Sequence, residues 1–134
     1  MKNVIEKYRE IYKTFGKSFC PYLSKDVEFT MAGFKHLIWK TDQSMRTNFE
    51  IQNRFESLGV VKAIIEKSGT LQEIEILEDK KFYAFIAIVN EKKYKVVVST
   101  AKVDRIIFNS VIPKWVTGKR DKRLKQLKNP SLDG

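Results

Sequence analysis

The stretch that decides the fold is Phe82-Tyr83-Ala84-Phe85-Ile86-Ala87-Ile88-Val89. An unbroken apolar run of this length, with a polar turn on each side, is typical of a strand that is covered on both faces. Residues 71–77 alternate apolar and polar side chains, which predicts a half-buried neighbouring strand. Two further runs, 94–100 and 105–112, follow through short connections. We therefore expect a four-stranded antiparallel meander, in which strand 82–89 pairs with both 71–77 and 94–100.

Two amphipathic helices are predicted before these strands. The first has apolar side chains at steps of three and four, with Asn3 as its N-cap and its end at Gly16 or at Cys20-Pro21. The second runs over residues 47–67, because Thr47-Asn48-Phe49-Glu50 fits a capping box and an apolar stripe follows it. That stripe consists of Ile51, Phe55, Leu58, Val61 and Ile65.

Helices followed by strands predict the α+β class. We expect two N-terminal helices packed on one face of the four-stranded sheet, with a short extended piece at 27–31 and Pro113 ending the last strand. Residues 1–115 form a single domain on this interpretation, and residues 116–134 form a basic C-terminal tail.

The composition favours a small basic protein without a cofactor. Of its 134 residues, 26 are Lys or Arg and 16 are Asp or Glu, which gives a formal net charge of +10. Such a surface attracts phosphate backbones. Cys20 is the only cysteine, so no internal disulfide forms, and one Cys with one His is too few for a usual zinc site. Without a signal peptide or a membrane-spanning run, we expect a cytoplasmic protein.

The predicted tail concentrates the positive charge. Residues 114–128 contain seven Lys or Arg and one acid, Asp121. Clustered cations bind nucleic-acid phosphates and an exposed indole stacks on bases, so RNA is the expected partner. The alternatives are a solvated helix and a membrane-surface segment. The membrane segment is the less favoured of the two, because few bulky apolar residues separate the charges. The candidate nucleic-acid ligands are Lys114, Trp115, Lys119, Arg120, Lys122 and Arg123.

His36 is the only histidine, and an imidazole exchanges protons near neutral pH. Lys40 follows four residues later, a spacing that places both side chains on one side of a helix or on one face of a strand. One group would move a proton while the other stabilises charge on a phosphate. Because apolar side chains surround His36 in the sequence, a hydrogen-bonded packing role is the alternative.

Three further polar residues occur where apolar ones are expected. Arg54 falls inside the apolar arc of the second helix, where it either reaches water or holds an anion. Lys62 lies in the same arc, which weakens the argument that Arg54 holds an anion. Thr100 and Ser110 place hydroxyl groups on neighbouring predicted strands, where both could face one cleft. Arg46 lies in the loop before the capping box.

The chain resembles the phage-associated branch of the barnase–EndoU–colicin–RelE-like nucleases. The resemblance lies in Phe29-Thr30-Met31-Ala32-Gly33-Phe34-Lys35-His36-Leu37, in helix 54–65 and in Phe108-Asn109-Ser110-Val111-Ile112-Pro113, and it covers residues 5–115. It implies two helices on a four-stranded antiparallel sheet. It also implies a metal-independent ribonuclease, often a toxin with a cognate antitoxin or immunity protein, that leaves a 2′,3′-cyclic phosphate.

On that model His36 acts as general base or acid, Lys40 and Arg54 stabilise the phosphorane, and Ser110 or Thr100 orients a phosphate oxygen. The chain departs from barnase-like enzymes because it has no second histidine and no evident catalytic glutamate. Two rival functions therefore stay open. One is a non-catalytic nucleic-acid-binding module, and the other is a phage or mobile-element accessory protein that acts through protein contacts.

Overall fold

The structure is a computed structural model that describes residues 1–67, 73–77 and 79–115. The basic tail predicted at 116–134 lies outside these residues, as do the side chains of Lys114 and Trp115. The helices and strands are α1 Lys2–Lys13, β1 Lys17–Cys20, β2 Lys25–Glu28, α2 Met31–Ile38, β3 Trp39–Thr41, β4 Ser44–Met45, α3 Asn48–Lys67, β5 Glu73–Leu77, β6 Lys80–Val89, β7 Lys92–Ala101 and β8 Arg105–Trp115.

The main sheet has the strand order β1-β2-β8-β7-β6-β5 in the described part of the chain. Strand β6 pairs antiparallel with both β5 and β7, and β7 pairs antiparallel with β8, so the predicted meander is confirmed. The β1–β2 hairpin extends the sheet beyond it, with β2 parallel to β8. Strands β3 and β4 form a separate hairpin.

The prediction of two helices on four strands is wrong in its detail. In the described ranges the structure is α+β with three helices and a mostly antiparallel six-stranded sheet. Strands β1 and β2 have four residues each, which is too short for an alternating pattern to be recognised. The β2–β8 pairing joins Val27 to Ile106 and Glu28 to Ile107, residues that lie far apart in the sequence.

Helix α1 begins earlier than predicted. Met1 occupies the N-cap position without a side-chain hydrogen bond, so the assignment of Asn3 as N-cap is wrong. The helix ends at Lys13, after which the Thr14 hydroxyl donates to the Ile11 carbonyl oxygen at 2.6 Å. Gly16 has a φ of +61°, a conformation that glycine adopts readily, and it turns the chain into β1.

Helix α3 begins with the predicted capping box. The Thr47 N–H donates to Glu50 Oε1 at 2.9 Å, and the Glu50 N–H donates to Thr47 Oγ1 at 3.2 Å. These two bonds satisfy backbone donors that the first helical turn leaves unpaired. The predicted apolar stripe is confirmed as buried: Ile51, Phe55, Leu58, Val61 and Ile65.

Helix α2 was not predicted, because its first residue lies in the piece expected to be extended. The Thr30 side chain caps it by accepting from the Gly33 N–H at 3.4 Å.

Strand β8 continues through Pro113, which pairs with Tyr94, so the predicted end at this proline is wrong. The described part of β2 pairs with β8 only as far as Ile107, and a proline is tolerated where a strand lacks a second neighbour.

The helices pack on one face of the sheet through an aromatic cluster. Phe34 of α2 stacks on Phe55 of α3 with ring centroids 5.5 Å apart, and Tyr12 of α1 lies 5.2 Å from Phe34. Phe108 of β8 lies 6.2 Å from Tyr12. All four rings are buried, and burial of this apolar area is the main stabilising contribution to the fold.

The expectation that β6 is covered on both faces holds for part of the strand. The adjacent residues Ala84 and Phe85 point to opposite faces and both are buried, whereas Ile86 and Ile88 are half-buried.

Within the described ranges, no helix combines the length and the apolarity that are needed to span a bilayer.

Gly33 allows α2 to approach β8 very closely. A Cβ atom on Gly33 would lie 2.6 Å from the Phe108 carbonyl oxygen and 2.8 Å from the Tyr12 hydroxyl oxygen. The Tyr12 hydroxyl in turn donates to the Thr30 carbonyl oxygen at 2.7 Å. The start of α2 is therefore held against the sheet and against α1, which fixes the direction of the helix that carries His36.

We expect Gly33→Ala to lower the free energy of unfolding by about 3 kcal/mol, because the new methyl group meets a backbone oxygen that cannot rotate away. Gly59→Ala is the matched control. Gly59 lies in α3 with nothing within 4 Å of a Cβ, so alanine there should stabilise by about 0.5–1 kcal/mol through helix propensity. Urea denaturation of the two variants checks both signs, and equal effects would contradict the close packing of α2.

Candidate functional site

An open pocket of about 440 Å³ lies beside His36. Helix α2 buries Phe34, Leu37 and Ile38, so the side chains between them face outward. The pocket lies between that outer face and the β3–β4 hairpin, and it is lined by Ala32, Lys35, His36, Trp39, Lys40, Thr41 and Asp42. His36 itself is exposed. The alternative of a histidine packed in the core does not describe this side chain.

Lys40 lies in the same pocket as His36. The chain leaves α2 at Ile38 and enters β3 at Trp39, so the short step from His36 to Lys40 crosses from helix to strand. Lys40 Nζ also lies 3.8 Å from Glu50 Oε1 of α3. This ion pair is exposed and contributes little to stability. The structure thus brings together the two residues that the sequence paired, and it adds a carboxylate beside them.

Arg46 was not predicted as a site residue, yet it joins the elements that build the site. Its Nε donates to the His36 carbonyl oxygen at 3.1 Å, and its backbone N–H donates to the Ile38 carbonyl oxygen at 2.8 Å. Two of the carbonyl groups left unpaired at the end of α2 are thereby satisfied. The only signal for Arg46 in the sequence is its place directly before the capping box.

The electrostatics of the pocket favour a neutral imidazole. Partial desolvation, followed by the positive charges of Arg46 and Lys80, lowers the pKa of His36 below its ordinary value. The Thr47 N–H and hydroxyl, with help from Lys40 and Arg46, lower the pKa of Glu50 and keep it ionised. At neutral pH the pocket therefore presents an imidazole able to accept a proton, together with the cations of Lys35 and Lys40 and the carboxylate of Asp42.

Arg54 faces the sheet, as its place in the apolar arc predicts. Its Nη1 donates to the Val111 carbonyl oxygen of β8 at 2.5 Å, so part of the guanidinium joins α3 to the sheet. Burial, and then the charge of Arg46, lower the pKa of Arg54 to about 10, while Glu50 acts in the opposite direction. Arg54 is therefore close to the site electrostatically but does not line the pocket.

Ser110 and Thr100 do not line the pocket of His36. Ser110 precedes Val111 in β8 and pairs with Val97 of β7. Thr100 lies instead in a separate cleft of about 430 Å³ and accepts from the Lys81 N–H at 3.0 Å. The expectation that the two hydroxyls face one cleft is not met, because Thr100 lines this second cleft and Ser110 lines neither it nor the pocket of His36.

Lys62, the second cation in the arc of α3, has a structural role. Its Nζ donates to the carbonyl oxygens of Phe15 at 2.8 Å and Lys17 at 3.2 Å. The ammonium also lies 5.5 Å from the ring centroids of Phe15 and Phe29, a cation–π distance. Lys62 thus pins the α1–β1 connection to α3 and lies outside the candidate site.

Comparisons of the chain with protein-family models, with curated proteins and with solved structures give no match. The resemblance to the nuclease superfamily therefore stays a prediction from the motif residues. Among the described residues, no group of three or more His, Cys, Asp and Glu side chains is arranged to hold a metal ion.

We expect the single imidazole to titrate below the ordinary histidine pKa of about 6.5, and to do so in part because of Arg46. Arg46→Gln removes a positive charge that disfavours imidazolium, so the pKa of His36 should rise. Arg46→Lys keeps that charge and should leave the pKa lower than in the Gln variant. Proton NMR follows the one histidine directly, and identical titrations of both variants and the wild type would contradict this electrostatic coupling.

Proposed function

We propose that this protein is a metal-independent endoribonuclease whose active site is the pocket around His36. The observation that carries the proposal is an exposed imidazole of lowered pKa that shares its pocket with Lys40 and is backed by Arg46. Phosphodiester cleavage needs a proton acceptor near neutral pH and positive charge near the phosphate. The formal net charge of +10 supplies long-range attraction for RNA.

The proposed reaction assigns one step to each group. The neutral His36 imidazole takes the proton of a ribose 2′-hydroxyl, and the 2′-oxygen attacks the adjacent phosphorus. The new bond joins the 2′-oxygen to phosphorus, and the bond from phosphorus to the 5′-oxygen of the next nucleotide breaks. Lys40 stabilises the pentacoordinate phosphorane and gives a proton to the departing 5′-oxygen. The products are a 2′,3′-cyclic phosphate and a 5′-hydroxyl end.

Arg46 and Arg54 act as positioning residues in this proposal. Arg46 holds the end of α2 through the His36 carbonyl oxygen, and its charge adds to partial desolvation in lowering the pKa of His36. Arg54 fixes α3 to β8 through the Val111 carbonyl oxygen, which keeps Glu50 and the start of α3 in place beside Lys40. Thr100 has no role in the reaction, since it lies in the other cleft.

A non-catalytic nucleic-acid-binding module is the second candidate. It is favoured by the state of Glu50, the carboxylate nearest to Lys40, which is engaged in the capping box and so is not free to serve as a second base. A binding module would retain RNA affinity after loss of the imidazole. The two candidates therefore differ in what His36→Ala changes, and not in whether RNA binds.

We expect the purified protein to cleave single-stranded RNA in the presence of EDTA and to leave 2′,3′-cyclic phosphate ends. His36→Ala should lower the rate on the order of a hundredfold or more, the scale of losing a general acid or base. Lys40→Ala should also slow cleavage, whereas Lys102→Ala, an exposed cation in the β7–β8 turn, is the charge-matched control. RNA binding without cleavage by the wild type would favour the binding module instead.

A toxin role follows from the same proposal, and a cognate antitoxin or immunity protein would then be the protein partner. We expect induced expression in a bacterial host to arrest growth and His36→Ala to restore it. Growth arrest that persists with His36→Ala at equal expression would separate toxicity from this site.

The predicted tail gives a separate test of RNA binding. Deletion from Thr117 onward removes six Lys or Arg residues. Each phosphate that a protein cation neutralises releases counterions, so the deletion should flatten the slope of log affinity against log salt concentration. Nitrocellulose filter binding at salt concentrations between about 50 and 200 mM measures this change in slope. An unchanged slope would show that the tail does not contact RNA phosphates.

A further inference from the structure

The main sheet has two edges in the described part of the chain, and one of them, β1, is protected against pairing with another chain. This strand has only four residues, and the exposed Lys17 places a charge beside the exposed Phe19. Lys62 of α3 also donates to the Lys17 carbonyl oxygen at 3.2 Å. Short edge strands, edge lysines and covering side chains are the usual means by which proteins prevent pairing at an edge.

Strand β5 is the other edge and lacks this protection. Among the described strands it has a neighbour, β6, on one side only. Its five residues, Glu73–Leu77, include neither lysine nor proline. An edge strand presents a row of backbone N–H and C=O groups to which a further strand can bind. The two edges of the sheet therefore differ, and β5 is the one that is open to a partner.

Two exposed isoleucines lie on one face of β5. Ile74 is 54 % exposed and Ile76 is 62 % exposed. They pair with Tyr83 and Lys81 of β6, and these two residues line the cleft of about 430 Å³ that also contains Thr100. Residues directly opposite each other in a strand pair share a face of the sheet, so the isoleucines extend the surface of this cleft to the edge. Apolar side chains beside an open edge give an added strand both backbone and side-chain contacts.

Glu75 supplies a negative charge on the opposite face of the same strand, because it lies between the two isoleucines. Its side chain is exposed. Within residues 1–67, 73–77 and 79–115, its carboxylate makes no hydrogen bond or ion pair. Opposite charges that face each other across a strand pair are stabilising. A strand that carries Lys or Arg opposite Glu75 therefore complements this edge.

A second copy of β5 matches the edge poorly. A two-fold axis at the centre of the strand places the two Glu75 side chains opposite each other, and like charges in this position are destabilising. Each copy also carries a formal net charge of +10, which adds long-range repulsion between copies. The charge pattern thus favours a segment of a different protein.

We propose that β5 is a docking edge for an extended segment of a protein partner, a strand in which apolar residues alternate with Lys or Arg. The apolar side chains lie over Ile74 and Ile76, the cations face Glu75, and backbone hydrogen bonds to β5 supply much of the affinity. None of these three residues lines the pocket of His36. The docking edge is therefore separate from the proposed active site and does not depend on ribonuclease activity.

The experiment measures binding of three labelled peptides with blocked ends to the full chain. The first alternates Lys and Val, the second alternates Glu and Val, and the third has the composition of the first with its Lys and Val in separate blocks. Fluorescence anisotropy at about 150 mM salt, where screening limits the effect of the net charge, gives each affinity. We expect the alternating Lys peptide to bind several-fold more tightly than the other two. Because the net charge alone favours the Glu peptide, tighter binding of that peptide would overturn the proposal.

Glu75→Lys should act in opposite directions on the two alternating peptides. Affinity for the Lys peptide should fall by about fivefold, the scale of one cross-strand charge pair, while affinity for the Glu peptide should rise. Glu91→Lys is the matched control, since Glu91 is an exposed carboxylate in the β6–β7 turn, at the end of β6 that does not pair with β5. It makes the same change of net charge and should leave the preference as in the wild type. Equal effects of the two variants would show that net charge alone acts, which would overturn the docking edge.

Backbone methylation of the Lys peptide separates strand addition from apolar contact alone. In an extended peptide the Lys N–H groups point to one edge and the Val N–H groups to the other, and only one edge faces β5. N-methylation of one set should therefore abolish binding, while N-methylation of the other set should preserve most of it. Equal effects of the two methylations would overturn strand addition.

Other occupants of the edge give different results. A dimer in sedimentation analysis that Ile76→Lys dissociates would assign the edge to a second copy. Tighter binding of the Lys peptide after deletion from Thr117 onward would assign it to the C-terminal tail of the same chain. Either result would overturn a partner of the proposed kind, and we expect neither.

Discussion

The contact of Gly33 with the backbone of β8 is the constraint on which the rest of the structure depends. No side chain separates α2 from the Phe108 carbonyl oxygen at this point, and the Tyr12 hydroxyl bonds to Thr30 directly before the helix. Both the sheet and α1 are thereby in contact with the start of α2. Because α2 has only eight residues, its starting position also determines where it ends. His36 is carried to the surface at a defined place, three residues after Gly33.

The return of the chain from α2 to α3 then fixes the composition of the pocket. Arg46 bonds to two carbonyl groups at the end of α2, and the next residue, Thr47, opens the capping box of α3. Two consecutive residues, Arg46 and Thr47, therefore terminate one helix and start the next. Glu50 completes the box and also lies near Lys40. The local rules of helix capping thus bring an imidazole, two cations and a carboxylate to one end of the helical layer.

The parts of the fold that could be predicted are those with long side-chain patterns. The β5–β8 meander contains an alternating strand and an unbroken apolar run between polar turns, and α3 has an apolar stripe at helical spacing. Both are present in the described residues, and each shows a clear pattern. The β1–β2 hairpin and α2 are too short to show one, and the parallel β2–β8 pairing depends on residues far apart in sequence. A register shift between Val97 and Val98 places Phe108 and Val111 both in the core, although they are three apart. Simple alternation therefore gives the wrong faces for residues near Ser110.

The same distinction applies to the candidate site. His36 and Lys40 were paired correctly because four residues is a local distance, and local geometry can be read from sequence. Thr100 was grouped with Ser110 because their strands are neighbours, and adjacency does not determine which end of a strand meets which helix. Arg46 was missed because its role consists of hydrogen bonds to backbone carbonyl oxygens. Such bonds have no side-chain pattern in the sequence.

The arrangement of charge at the site is difficult to explain by stability alone. Burial, and then the charge of Arg46, lower the pKa of both His36 and Arg54, so the charge of Arg46 makes each of these neighbours harder to protonate. Glu50 is the carboxylate that offsets this repulsion for Arg54, and it is shared with the capping box. A bound anion would relieve the remaining repulsion, since each cation would then face a negative charge. The ribonuclease that we propose would place a phosphate near these charges, and its function rather than stability would then account for a locally unfavourable arrangement.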